Sequence, residues 1–310
     1  MFSIKTVGYY HRDSNEFKVT PDLLPRTLNS NKRFFENPIP LPFINLNIDV
    51  PDSGADELKM ESLLKYINLK GFPNDTPPQF VTNRHLLKTI AAPREDELLE
   101  VVGIRKNGVV YLLKVSSEAS IHKNFGAIFE RFWLNEIDDG TVRKGVFLAE
   151  IPGSTEHFSV MYSGEIDAID DSGNHLEFKV LSGGLNEYFW KYSKFHVYWQ
   201  AFLGNAETLI IGTRTGRTPN DNNTLPPMNI PEWSVHKVQK LQRRDILKPW
   251  EITKSEERLS GFFEYVQNVM KSDGDAFLFT RLGFRRNWRH FRNFKKTAEF
   301  QKTLDKLLLK

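Results

Sequence analysis

The chain has 310 residues, 40% hydrophobic and 26% charged, with a formal net charge of +3, a globular composition that speaks against general disorder or a fibrous protein. With no cysteine, disulfides, thiolate zinc sites and cysteine nucleophiles are excluded, and any metal is left to oxygen or imidazole ligands. The longest apolar runs, such as residues 109–113 and 208–211, fall far short of the ~20 residues that cross a bilayer, and the N-terminus shows no secretory h-region, so an intracellular, non-membrane protein is expected.

Residues 1–50 read as a β-rich lead-in, with alternating segments at 5–10 and 17–20 broken by Pro21, Pro25, Pro38, Pro40 and Pro42. Met60, Leu63, Leu64 and Ile67 recur at helical spacing and Gly71 follows as a cap, predicting a helix over 56–70. Residues 80–91 read as helical. Residues 98–104 and 109–115 form a hairpin across Lys106-Asn107-Gly108. A helix over 122–135 carries Gly126, Phe129 and Phe132. Three strand-like runs follow at 146–151, 158–167 and 175–181, then an aromatic helix over 186–203 and an apolar strand at 208–212. Residues 217–231 form an exposed loop and 255–270 a helix, and a basic helical stretch runs over 285–309. The order implies one α/β domain with a mixed central sheet flanked by helices: a catalytic core over 75–215, an exposed loop over 216–232 and C-terminal helices over 250–310.

The informative segment is Ser163-Gly164-Glu165-Ile166-Asp167, a turn at 170–174, then Leu176-Glu177-Phe178-Lys179-Val180. Strand alternation puts Glu165 and Asp167 on one face, with Ile166 and Ala168 toward the core, and sets Glu177 and Lys179 against Leu176, Phe178 and Val180. If the two strands pair through the turn, three carboxylates and one ammonium share a surface. Such carboxylates repel unless a cation lies among them, and Mg²⁺ or Mn²⁺ suits an all-oxygen site. The chemistry that follows is phosphodiester or pyrophosphate hydrolysis. Glu-x-Lys is a cheap motif, present also at Glu16 and Glu57, but only the copy at Glu177 has an acidic strand at hairpin distance upstream. A salt-bridged sheet face stands as the alternative.

Here the sequence resembles the DXO family of 5′-end RNA decapping exoribonucleases, built on a PD-(D/E)xK nuclease-like core. The family pattern G-E-φ-D followed by E-φ-K is matched by Gly164-Glu165-Ile166-Asp167 and Glu177-Phe178-Lys179. Gly126-Ala127-Ile128-Phe129-Glu130 matches a motif that ends in a catalytic glutamate, and Phe80-Val81-Thr82-Asn83-Arg84 the segment whose arginine faces substrate phosphates. Trp199-Gln200-Ala201-Phe202-Leu203 and Ile210-Ile211-Gly212-Thr213-Arg214 resemble the helix with a site glutamine and the strand after it. The resemblance covers roughly 75–215.

The resemblance implies that Glu130, Asp167 and Glu177, with the Phe178 carbonyl, hold a first ion and that Glu165 joins Asp167 at a second. Lys179 and Gln200 position water or phosphate, and Arg84 binds the RNA 5′ region. Val180 departs from the family's threonine and loses a hydrogen bond there. Taken singly, Glu130, Gln200 and Arg84 read as ordinary surface residues; their order ties them together. The implied activity is removal of 5′ pyrophosphate, incomplete caps or NAD caps, then 5′-to-3′ degradation, by a monomer located in the nucleus in preference to the cytoplasm, with a larger 5′-to-3′ exoribonuclease as a protein partner. The alternatives are a DNA nuclease with the same core and a scaffold stabilising such an exoribonuclease. The aromatic stripe Phe189, Tyr192, Phe195 and Trp199 reads as core packing. Arg285, Arg286, Arg289, Arg292 and Lys296 read as one basic helix face opposite Phe284, Trp288 and Phe291.

Overall fold

The computed structural model of the chain describes residues 2–13, 18–29, 44–47, 60–95, 97–115, 125–135, 141–216, 233–283 and 287–308. Among these the elements run β1 (Ser3–Asp13), β2 (Val19–Pro21), β3 (Ile44–Asn45), α1 (Glu61–Lys70), β4 (Phe80–Asn83), α2 (Arg84–Ala91), β5 (Leu98–Lys106), β6 (Val109–Lys114), α3 (Phe125–Trp133) and β7 (Thr141–Pro152). There follow β8 (His157–Glu165), β9 (Ala168–Ile169), β10 (His175–Ser182), α4 (Lys194–Leu203), β11 (Ala206–Arg214), β12 (Ser234–Gln242), α5 (Pro249–Val269), β13 (Ala276–Leu282), β14 (Arg289–Phe291) and α6 (Phe294–Leu307). The expected loop at 217–231, the starts of the expected helices over 56–70 and 122–135, and the Glu-x-Lys copies at Glu16 and Glu57 lie wholly or partly outside the described residues.

The mixed α/β character holds, but the strands divide into two sheets. A nine-stranded sheet runs β14-β13-β5-β6-β4-β8-β7-β1-β2 and a five-stranded one β3-β12-β11-β10-β9. Parallel pairs join β4 to β6 and β8, and β10 to β11; the other pairs are antiparallel. One core packs α2, α4 and α5 among Phe80, Phe147 and Tyr162 of the larger sheet and Leu209 and Ile211 of the smaller. The far face of the larger sheet is covered by Leu63, Leu64 and Ile67 of α1 and by Phe300 and Leu304 of α6. On the smaller sheet Leu176, Phe178 and Ile210 face Ile128, Phe129 and Trp133 of α3. Alternation then turns Glu177 and Lys179 to the opposite side of β10, as expected. No helix of the described residues is long and apolar enough to cross a membrane.

The expected hairpin is present: Lys106 pairs with Val109, and Asn107 and Gly108 have φ of 52° and 78°, left-handed backbone that suits Asn-Gly. Residues 80–91, expected as one helix, divide at Asn83. Parallel neighbours hold Phe80–Asn83 as a strand, and the Asn83 side chain accepts from the Leu86 N–H to start the helix. The helix expected over 186–203 opens with a π-helical turn at Phe189–Ser193. The basic stretch is not one helix. Arg289–Phe291 pairs with β13, and the helix begins only after Asn293, whose side chain accepts from the Lys296 N–H. Lys296 pairs with Glu100 at 2.6 Å, and Phe284, Arg285 and Arg286 lie outside the described residues. The aromatic stripe is core only in part: Phe189 and Trp199 are buried, whereas Tyr192 is exposed.

The largest correction concerns the two acidic strands, which are not neighbours. β8 pairs with β7 and β4, whereas β10 pairs with β11 and, for two residues only, with β9. The Asp170 turn is formed, its carboxylate accepting from the Ser172 and Asn174 N–H groups, but it joins the short β9 to β10. The chain leaves one sheet at Glu165 and enters the other at Ala168.

Fully buried Phe147 of β7 bridges this seam. Its ring stacks on Tyr162 at 5.3 Å and meets His175 of β10 at 6.0 Å. Phe147→Ala is expected to cost about 3–5 kcal/mol, the range for deleting a buried aromatic, read from the urea midpoint with the slope unchanged.

Candidate active site

The crossing from β8 to β10 carries the expected cluster. Glu177 is 2% exposed, and its carboxylate is fully engaged. The Lys179 Nζ lies 2.7 Å from its Oε1, the Gln200 amide donates to the same oxygen at 2.7 Å, and Arg84 Nη1 lies 3.6 Å from Oε2. Burial pushes the Glu177 carboxyl upward, but Lys179 and Arg84 outweigh it and hold the group below its ordinary value. Burial likewise disfavours the Lys179 ammonium, yet Glu177 and Asp167 raise its pKa overall. Glu177 is therefore an anion and Lys179 a cation at neutral pH.

Asp167 sits in the crossing segment, its Oδ2 accepting from the Phe178 N–H at 2.7 Å. Burial, then Glu177 and Glu130, push its carboxyl well above the ordinary range. Glu130 of α3 is pushed up to about 8 by burial, then by Glu165 and Glu177. The structure thus brings Glu130, Asp167, Glu177 and Lys179 within electrostatic reach of one another. Glu165 lies exposed at the end of β8, close enough to act on Glu130, and shares no strand with Asp167.

Among the described residues no three Asp, Glu or His side chains already stand at metal-ligating spacing, and Glu177 is engaged by Lys179, Gln200 and Arg84. The donor set nevertheless fits a hard divalent cation. It is all oxygen, and the mutual repulsion that keeps protons on Glu130 and Asp167 is the repulsion a bound cation relieves.

Arg84 opens α2 and lies across two glycines. A Cβ at Gly164 would fall 2.7 Å from its Nε, and one at Gly204 2.9 Å from its Nη1. The glycine of Gly164-Glu165-Ile166-Asp167 thus clears the path of the arginine. One residue escaped the sequence reading: Lys88, whose Nζ donates to Gln200 Oε1 at 3.1 Å and fixes the amide that reaches Glu177. Burial, then Lys179 and Arg84, lower its pKa to about 8. The signal was its place four residues after Arg84, on the same face of a helix.

These shifts give a signed expectation. A carboxyl whose folded pKa is raised contributes stability below its unfolded pKa and loses it as pH rises through the folded value. In chelator, Glu130→Gln is expected to leave the melting temperature nearly unchanged at pH 4, where the carboxyl is neutral in the folded chain and mostly neutral in the unfolded one, and to raise it at pH 9. Equal shifts at both pH values would refute the burial of a repelled carboxyl at Glu130.

No family model matches the sequence. Over 120 residues the chain is 35% identical to the decapping nuclease dom-3 of Caenorhabditis elegans, a stretch that spans 38% of this chain and 27% of that relative. Across nearly its whole length the structure is similar to Scheffersomyces stipitis Rai1 in complex with (3′-NADP)⁺ and calcium ion, with a TM-score of 0.66 and 13% identity over 98% of this chain and 96% of that one. Candida albicans Rai1 in complex with pU5-Mn²⁺ gives a TM-score of 0.66 and 12% identity over 99% and 95%. These likenesses agree with the resemblance to the DXO family seen in the motifs. The chain has the fold of the Rai1 proteins and, over more than a third of its length, resembles a decapping nuclease in sequence.

Proposed function

We propose that the chain is a divalent-metal-dependent hydrolase of RNA 5′ ends, which removes a 5′ pyrophosphate, an incomplete cap or an NAD-type cap and then degrades the RNA 5′ to 3′. The observation that carries this reading is the convergence of Glu130, Asp167 and Glu177 with Lys179, Gln200 and Arg84, from five separate parts of the fold, on one seam between the sheets. The names of the similar proteins, a decapping nuclease and Rai1 bound to a dinucleotide, an RNA and divalent ions, support it.

In this reading Glu130, Asp167, Glu177 and the Phe178 carbonyl hold one Mg²⁺ or Mn²⁺ ion, and Asp167 with Glu165 a second. Bound there, such ions acidify water and neutralise phosphate charge. The chain's own residues do the rest. Lys179 keeps its proton, so it donates hydrogen bonds to water or phosphate and does not act as a base. Gln200, held between Lys88 and Glu177, presents its amide in one orientation. Arg84 and Lys88 grip the phosphates, whose negative charge would raise again the Lys88 pKa that burial lowers to about 8. The reading extends to a monomer that works in the nucleus in preference to the cytoplasm, with a larger 5′-to-3′ exoribonuclease as its protein partner.

The test is hydrolysis of 5′-triphosphate, unmethylated-capped and NAD-capped RNA with Mn²⁺ or Mg²⁺. Wild type is expected to release a 5′ product, chelation to stop it, and Glu177→Ala/Lys179→Ala to lose at least ~100-fold in rate with its circular dichroism retained. A wild type inert on all three RNAs but active on DNA ends makes it a DNA nuclease; one inert on both leaves the scaffold. Gly164→Ala is expected to weaken binding of 5′-triphosphorylated RNA by about 10–100-fold, the worth of a charged hydrogen bond, by displacing Arg84. Displacing Arg84 also takes a cation from buried Glu177, so the melting temperature should fall as well; binding is checked by anisotropy and stability by thermal melts.

A further inference from the structure

Tyr192, expected in the core with Phe189, Phe195 and Trp199, is exposed together with two aromatic neighbours. Tyr188, Trp190 and Tyr192 are 50%, 39% and 55% exposed, while Phe189 among them is buried. The three lie on and just before the π-helical turn that opens α4, closed by the Lys194 N–H on the Phe189 carbonyl. Buried Phe189, whose N–H donates to the Asn186 side chain at 3.0 Å, pins the turn to the body of the protein. The outward rings therefore stand on an ordered element, of a kind that concentrates at functional sites. Trp190 packs edge to face on Phe189 at 5.0 Å, which leaves the two tyrosines as the open pair.

The tyrosines continue a line that begins in the catalytic cluster. Gln200, His196 and Tyr192 follow one another at four-residue spacing along α4 and its opening turn, the spacing that sets side chains on one helix face. Tyr192 in turn lies 5.0 Å from Tyr188 between ring centroids. From Gln200 back to Tyr192 the rise is about 12 Å, more than one nucleotide of a stacked strand spans. Charge does not dominate this edge. The Lys191 Nζ lies 5.0 Å from the Tyr192 ring centroid with exposed Glu187 nearby, and Lys194 is taken by Glu251 at 2.6 Å. The edge offers a ligand ring surface with a cation beside it, and the polar and charged groups between the rings break up the continuous apolar contact that a protein core-like interface needs. Flat bases carrying phosphates fit such an edge.

We propose that Tyr188 and Tyr192 form a stacking platform for bases of single-stranded RNA, a few nucleotides 3′ of the reacting phosphate, with Lys191 beside the backbone. This rests on the function proposed above, whose reacting phosphate lies at the Gln200 end of α4. Stacking holds a strand without reading its sequence, because every base has a flat face. Successive nucleotides can therefore pass over the same two rings as the 5′ end is shortened.

The experiment measures binding of a 5′-phosphorylated uridylate decamer to the full chain by anisotropy in chelator, across salt concentrations. Tyr188→Ala/Tyr192→Ala is expected to bind it about 10-fold more weakly, within the range for lost base stacking, and to keep the wild-type salt slope, since no phosphate contact is removed. Tyr188→Phe/Tyr192→Phe keeps both rings and is expected to stay within about two-fold of wild type. A decamer without bases beyond its second nucleotide is expected to bind wild type as weakly as it binds the alanine variant. Both tyrosines are exposed, so the melting temperatures should stay close to that of wild type. No loss in the alanine variant, an equal further loss on the base-free decamer, or a flattened salt slope would overturn the platform. Hydrolysis of 5′-triphosphate, capped and NAD-capped RNA by wild type tests the other reading separately. If that fails while decamer binding still depends on the two rings, the platform stands and the nuclease assignment falls; if hydrolysis is seen and the alanine variant binds as wild type does, the platform alone falls.

Discussion

The buried charge of Glu177 is the constraint around which the seam is arranged. A carboxylate at 2% exposure is expensive to desolvate and persists only when its oxygens are hydrogen-bonded and a cation is near. Lys179 and Gln200 satisfy one oxygen, and Arg84 faces the other. Each partner imposes a further demand. Lys179 must follow two residues on along β10, Gln200 must point inward from α4 beside buried Trp199, and Arg84 needs glycines at 164 and 204 for room.

The second requirement is that two sheets meet without a gap at this point. His175, the first residue of β10, accepts from Tyr9 of β1 or donates to it at 2.9 Å through Nε2, and its Nδ1 lies 2.7 Å from the Gly204 carbonyl. The carbonyl can only accept, so Nδ1 carries the proton and Nε2 accepts from the tyrosine. Burial lowers the His175 pKa, in keeping with this neutral form. One imidazole therefore ties the larger sheet, the smaller sheet and the end of α4 together next to the acidic cluster. Side chains set on packed strands and helices are held more closely than loops could hold them.

Around that frame the electrostatics are graded. Carboxyls that repel one another lie at the crossing, and three cations face Glu177. Likeness in fold at 12 to 13% identity with the Rai1 structures shows how much of the core can change while the layers persist. Cores tolerate wide substitution when volume and patterning are kept, whereas a charged site depends on individual groups.

By itself the sequence determined the local elements and the chemistry of the site. Alternation around Glu177 and Lys179, the Asn107-Gly108 turn and the acidic and amide positions in order are properties of short segments, where backbone sterics and side-chain periodicity act directly. Only the tertiary structure decided that 80–83 is a strand, that the basic stretch after Trp288 begins as one, and that β8 and β10 belong to different sheets. Strand pairing is a contact between segments distant in the chain, and the propensities of residues 80–83 or 289–291 do not say which neighbours will offer hydrogen bonds. Lys88 belongs to the same class. Its spacing from Arg84 puts it on the same helix face, but its role follows from the meeting of α2 and α4, which supplies the Gln200 partner.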